Sequence, residues 1–203
     1  MHECTASIIT LATDQDLPFW LTGGRFLRGW VLAEQGQVAE GIAQLRQGLT
    51  AYQAMGSAIV RSYLLALLAE AYRKGGQIPE GLAVVAEALA TVEHTGERFY
   101  EAELYRLKGE LLLQFGVQGS ESRNVTLPAA EAETCLRQAL DTARHQHAKS
   151  LELRAATSLS HLWQQQGKRS EARQLLGEIY GWFTEGLDTA DLQEAKALLN
   201  ALA

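Results

Sequence analysis

Four glycines recur in this 203-residue chain at a near-constant interval, and no other feature narrows its possible folds as far. Gly36, Gly76 and Gly116 stand forty residues apart. Gly167 follows after fifty-one, which is forty plus an eleven-residue insertion. A second series, Gly56, Gly96 and His147, keeps the same two intervals. A fixed period of this length marks stacked supersecondary units, each too small to bury its apolar face alone.

With the four glycines set equivalent, the rest of the chain falls into columns. Seven residues before each glycine stands a small residue: Gly29, Ala69, Gly109, Ser160. Four before stands a large one: Leu32, Tyr72, Leu112, Trp163. After the glycine, with the insertion allowed for, come Gly41, Gly81, Ala132 and Ala172, then Leu45, Val85, Leu136 and Leu176. A last small column holds Gly48, Ala88 and Ala139, with Ile179 as the exception. Small residues at fixed sites let two helices approach closely, and large ones fill the gaps. Val38, Ile42, Leu45, Leu49 and Tyr52 step along one helix face, and Ile78, Leu82, Val85, Leu89 and Val92 repeat that stripe. In the later units the column of Ile42 and Leu82 becomes Glu133 and Arg173, so those helices are less apolar or slightly rotated. The first glycine series is expected in the turn inside each helix pair. The second is expected where the second helix stops, since glycine takes the left-handed conformation there.

The units are expected at about 18–56, 57–96, 97–147 and 148–181, with a capping helix at 188–202 opened by Asp188. Leu192, Ala195, Leu199 and Leu202 form its buried stripe. Residues 117–128 break the rhythm with polar turn formers and read as a flexible surface loop. Ile8, Ile9, Leu11 and Ala12 suit the tail of a preceding second helix, which suggests a fragment of a longer protein.

A chain that is 47% hydrophobic can bury a sizeable core, and only three prolines interrupt it, which favours helix throughout. A net charge of −6 offers no basic footprint for nucleic acid. Cys4 and Cys135 are a poor disulfide framework, which points to a reducing, cytoplasmic setting. No leader and no apolar run near twenty residues is visible, so no membrane partner is expected. Asn124 opens a glycosylation triplet that this setting makes a chance match.

Helix pairs with this order of small, large, glycine, small, aliphatic and small residues resemble the tetratricopeptide repeat (TPR), over residues 22 to about 180. The period is forty rather than the common thirty-four. The early aromatic column reads Arg25, Leu65, Tyr105, Ala156, and the closing proline is missing. These departures fit a longer-helix variety. Residues 96–110, 148–156 and 180–186 are similar to the C-terminal repeat region of large bacterial ATPase and class III adenylate cyclase-type signalling proteins. The resemblance implies an all-α, right-handed α-solenoid of four TPR-like hairpins plus a cap, within one domain spanning 1–203. It also implies a sensory or assembly arm.

No catalytic constellation emerges. Gly23-Gly24-Arg25-Phe26 lacks the lysine and spacing of a phosphate loop. His145 and His147 point apart on a helix and have no third ligand nearby. Cys135 has no positioned base. The chain therefore reads as non-enzymatic, with no metal or cofactor. In the resembled family the first helix of each unit lines a concave groove. Carried over, that groove takes Phe26, Trp30, Ala33 and Glu34, then Tyr63, Ala66, Glu70, Arg73 and Lys74. Further along it takes Glu103, Arg106, Glu110 and Gln114, then Arg154, Thr157, His161, Gln164 and Gln165. The expected partner contacts are Phe26, Trp30, Tyr63, Glu70, Arg73, Arg106, Glu110, Arg154 and His161. Trp30 and Tyr63 would serve as anchors, and Arg73, Arg106 and Arg154 would fork onto carboxylates. Tyr180, Trp182 and Phe183 read as packing for the cap, with a docking patch as the alternative. The leading expectation is a scaffold for a protein or peptide segment, or for an adjacent domain. A small-molecule sensor and a self-association module that forms a homo-oligomer are the alternatives.

Overall fold

The computed structural model describes residues 2–56, 60–118 and 126–203, and every regular element among them is an α-helix. The order is α1 (His2–Asp14), α2 (Pro18–Glu34), α3 (Val38–Ala54), α4 (Arg61–Lys74) and α5 (Ile78–Thr95). Then come α6 (Glu101–Gln118), α7 (Thr126–His145), α8 (Lys149–Gln165), α9 (Arg169–Tyr180) and α10 (Ala190–Ala201). The chain forms two compact units, Met1–Glu97 and Arg98–Ala203. In the first, α2 pairs with α3 and α4 with α5, while α1 lies on α2. In the second, α6 pairs with α7 and α8 with α9, and α10 packs on both α8 and α9.

One turn geometry explains the glycine series. Gly36, Gly76 and Gly167 all have positive φ, at 88°, 68° and 79°. The residue after each donates back five positions: Gln37 to the Leu32 carbonyl, Gln77 to Tyr72 and Lys168 to Trp163, at 2.8 to 3.0 Å. This 6→1 bond closes the helix end and needs a left-handed residue, which glycine supplies without strain. The same bond recurs between Leu17 and the Ala12 carbonyl, with Asp16 left-handed, and between Ala148 and Ala143, with His147 left-handed. Asp16 thus extends the second series one period towards the N-terminus. Gly56 and Gly96, the other members of that series, are left-handed as well. Gly116 departs from its column. It lies inside α6, which continues to Gln118, so the expected turn there is replaced by extra helix. Of the expected loop at 117–128, residues 117–118 belong to α6 and 126–128 to α7, and residues 119–125, with Asn124 and Val125, fall outside the described residues.

The small columns carry the hairpins. A β-carbon on Gly41 would lie 2.6 Å from the Gly29 carbonyl and 2.8 Å from the Ala33 nitrogen, so α2 and α3 meet backbone to backbone. Gly48 is small for a different reason: Phe26 fills the space beside it, 3.0 Å from a notional β-carbon. On α6, Gly109 admits the Leu136 side chain of α7, 2.8 Å from where its β-carbon would be. Ser160 donates its hydroxyl to the Ala172 carbonyl across α8 and α9, 3.2 Å away and fully buried. Ala69 is fully buried too. α10 buries Leu192, Ala195, Leu198 and Leu202, while Leu199 is half-buried. Its N-cap is Thr189, in extended conformation, rather than Asp188.

These glycines separate cleanly in their tolerance. Gly41→Ala is expected to destabilise by about 1–3 kcal/mol, because backbone rather than a flexible side chain must give way. Gly23 also lies within a helix, but a β-carbon there would meet nothing within 4 Å. Gly23→Ala should therefore stabilise by about 0.5–1 kcal/mol through the helix preference alone. Urea denaturation of both variants checks the contrast, and equal shifts would contradict it.

Candidate functional site

Within each unit the first helices of neighbouring repeats lie side by side, α2 on α4 and α6 on α8. Repeat-equivalent residues consequently face one another and form rungs. In the first unit Glu34 accepts from Lys74 at 2.5 Å, and the two are forty residues apart. Arg73 grips Glu70 on its own helix with two hydrogen bonds of 2.7 and 3.1 Å. Trp30 and Tyr63 are half-buried against the core formed by Phe26, Leu45, Leu64, Leu68 and Tyr72. Burial pushes the Tyr63 phenol pKa up.

One rung of the first unit is empty. Gly23 is the equivalent of Tyr63, and no side chain fills its place. A recess of about 220 Å3 opens there, where α1, α2, the end of α3 and the start of α4 meet. Its walls are nearly all apolar: Ile8, Phe19, Trp20, Leu27, Tyr52 and Tyr63 surround a floor of Gly23, Gly24 and Phe26. Phe19 sits edge-on to Trp20, with centroids 5.6 Å apart, and tilts against Tyr52 at 5.1 Å. Trp20 is 61% exposed at the rim.

The first-helix face of the second unit is filled instead by ion pairs. Glu103 is buried and accepts from Arg106 Nε at 2.9 Å and Nη2 at 2.6 Å. Arg154, its equivalent one repeat later, reaches the same carboxylate at 2.8 Å. Arg106 also donates to Glu110, and Ser158 donates to Glu110 Oε1 at 2.7 Å. His161 Nε2 lies 3.5 Å from Glu194 on α10. That contact, together with the Arg106 and Arg154 charges, outweighs burial and holds the Glu194 carboxyl below its ordinary pKa.

A second polar cluster staples α7 to α8. Glu133 Oε1 accepts from Trp163 Nε1 at 3.0 Å and from Arg137 at 2.8 Å, and Arg137 lies over the Trp163 ring. Gln166 donates to the other oxygen at 3.3 Å, and Lys168 stands 3.6 Å away. The departure from the Ile42 and Leu82 column is therefore a deliberate polar joint. Burial opposes the charged form, but these hydrogen bonds and the lysine overcome it and hold the pKa at about 2. A depressed folded pKa stabilises fully above the ordinary 4.5, and the contribution fades as pH falls towards 2. Glu133→Gln is expected to lower stability near neutral pH by an amount on the order of 2–3 kcal/mol. The gap from wild type should close between pH 4.5 and 2, which urea titrations across that range would read.

The structure redistributes the expected contact residues. Phe26 is fully buried and belongs to the core, where it packs into the space that Gly48 leaves. Its only route to a partner is the floor of the recess at Gly23, which it helps to line. Arg106 is also buried, with its guanidinium committed to Glu103 and Glu110, so it cannot fork onto an incoming carboxylate. Trp30, Tyr63, Glu70 and Arg73 stand together in the first unit, all partly exposed. Glu110 and Arg154 are partly exposed in the second, and His161 is exposed. Phe19, Trp20 and Gly23 were missed, although the forty-residue spacing from Gly23 to Tyr63 was the signal for the void. Burial raises the Cys135 thiol pKa, against nucleophilic use. Among the described residues no group of three or more His, Cys, Asp or Glu side chains could hold a metal ion. No helix among them is long and apolar enough to cross a membrane.

Solved structures share this architecture. A kinesin-light-chain-like protein from Podosopora anserina, built of nearly identical TPR-like repeats, is 19% identical, with a TM-score of 0.62. The match covers 91% of this chain and 86% of that one. BtubC (BKLC) from P. vanneervenii is 16% identical with a TM-score of 0.69, over 99% of this chain and 81% of the other. Likeness at this identity establishes the fold: an all-α chain of TPR-like helical repeats. No family model and no curated protein matches the sequence.

Proposed function

We propose that the chain is a non-enzymatic scaffold that binds a protein segment on the first-helix face of its first unit. The recess at Gly23 carries this reading. An apolar hollow stands beside an exposed tryptophan where the next repeat has a tyrosine. Its volume, about 220 Å3, is below the roughly 300–1,000 Å3 of a pocket for a whole drug-sized ligand, and it suits one anchoring side chain. Trp30 and Tyr63 border the same face, with Glu70–Arg73 and Glu34–Lys74 beyond them. An amphipathic segment of mixed charge therefore fits better than a polyanion. The fold favours this use, since TPR-like repeats generally mediate protein–protein interaction.

The narrower setting rests on sequence likeness at residues 96–110, 148–156 and 180–186. In it the chain is a cytoplasmic regulatory arm of a bacterial ATPase or cyclase-type signalling protein. The bound segment is then an adjacent domain or another subunit of the same assembly.

Panning a random peptide display library on the purified chain tests the recess. Selected peptides should carry an apolar anchor. Gly23→Phe, which fills the hollow, and Trp20→Ala should each weaken them by about tenfold or more. Trp182→Ala, in the other unit, should leave affinity unchanged. Peptides whose affinity ignores Gly23→Phe, or a library that yields none, would reject the recess as the binding site.

A further inference from the structure

The opposite side of α2 carries a different recess. It measures about 270 Å3, lies between α2 and α3, and is lined by Thr22, Arg25, Arg28, Gln44, Gln47, Gly48 and Ala51. Positions 22, 25 and 28 share one side of the helix, away from Gly23, Leu27 and Trp30. The floor is shallow in side chains because Phe26 fills the space beside Gly48 from behind.

Comparison among the repeats shows how unusual this wall is. The equivalents of Arg25 and Arg28 are Leu65 and Leu68 in the second repeat and Ala156 and Leu159 in the fourth, all buried, and Tyr105 and Lys108 in the third, where Lys108 stands 3.9 Å from Glu131. The equivalent of Gln44 is Val84, and that of Gln47 is Glu87. In the second repeat Glu87 pairs with Arg61 at 2.5 Å. The first repeat thus puts two guanidiniums side by side where no other repeat has more than one cation, and an amide where the second repeat has Glu87.

Both arginines are exposed, and neither makes an ion pair or hydrogen bond among the described residues. Seven of the ten other described arginines do: Arg61, Arg73, Arg98, Arg106, Arg137, Arg144 and Arg154 hold carboxylates, whereas Arg46 and Arg173 stand singly on the surface. In a chain of net charge −6, leaving two adjacent forks unpaired over a recess needs a reason. The Gln44 Nε2 of the lining donates to Glu40, one turn earlier on α3, at 3.3 Å. The Thr22 hydroxyl donates to the Pro18 carbonyl at 2.9 Å, so the lining side-chain donors left without a partner among the described residues are the two guanidiniums and the Gln47 amide.

We infer that the recess between α2 and α3 binds a small polyanion through Arg25 and Arg28. A planar guanidinium presents paired N–H donors at the spacing of two oxygens on a phosphate or carboxylate. Two such forks over one hollow of this size match a compact molecule with at least two anionic groups, not an extended chain. The site is independent of the recess at Gly23, since it faces away from it and uses charge in place of apolar surface.

Titration calorimetry of the whole chain with inorganic pyrophosphate, and separately with citrate, tests the assignment. Chemical-shift mapping should accompany both. At least one anion should saturate a single site, with shifts confined to residues about 22–51. The arm that binds identifies phosphate or carboxylate as the recognised group. Arg25→Gln/Arg28→Gln should weaken it by at least about tenfold. Arg46→Gln/Arg173→Gln removes the same charge from exposed arginines elsewhere and should change affinity less than about twofold, as distant surface charges are screened. Two results would overturn the assignment: no saturable binding of either anion, or equal weakening by both double variants. Both double variants should melt with wild type, because the side chains they alter are exposed.

Discussion

The contact between Gly29 and Gly41 sets the geometry that the first hairpin must accept. With two helix backbones touching, the turn that joins them has room for only Gln35, Gly36 and Gln37. A turn that short must reverse the chain with one left-handed residue and one 6→1 hydrogen bond, which is what Gly36 and the Leu32 carbonyl provide. Hairpins closed in the same way present their first helices to each other in matching register. Within each unit, side chains on that face can then meet their own equivalents from the neighbouring repeat, as Glu34 meets Lys74 and Glu103 meets Arg154. What stands in a column decides whether the rung is an ion pair, an aromatic contact or a void.

Features that depend on backbone were legible in the chain itself. Positive φ and backbone contact both exclude a β-carbon, so Gly36, Gly41, Gly76 and Gly167 announce their places. Gly116 shows the limit of that inference. A helix interior tolerates glycine at modest cost, so the residue type alone did not separate a turn from two more residues of α6. Side-chain depth was harder to read. The column of Phe26 also holds Ala66, Arg106 and Thr157, four residues of unlike size and polarity that are all buried. Periodicity assigned that column to the first-helix face but said nothing of how far each side chain is covered. For Arg106 there was a local hint, since Glu103 and Glu110 stand three before and four after it, where a helix brings charges together.

The two units use these columns to different ends. In the second, Glu103, Arg106, Glu110, Arg154 and Ser158 satisfy one another, and the face they occupy is polar yet closed. Buried pairs of this kind add little net stability over an apolar alternative, but removing one partner is costly. They therefore act mainly to fix which helix lies against which. In the first unit the column opens at Gly23 and leaves apolar surface uncovered. Groove chemistry in a repeat protein is thus set repeat by repeat rather than spread evenly along the array.

The rungs also bear on how the repeats have diverged. Glu34 faces Lys74, and Glu103 faces Arg154, so each pair joins residues descended from one ancestral position if the repeats arose by duplication. Identical copies would have set like charge against like in those columns. Opposite signs at one position give each hairpin a preferred neighbour. Replacing the α2–α3 hairpin with a second copy of α4–α5 would seat lysine against lysine in the column where Lys74 now meets an acid. The charges on these helices therefore record, within each unit, which hairpin belongs beside which.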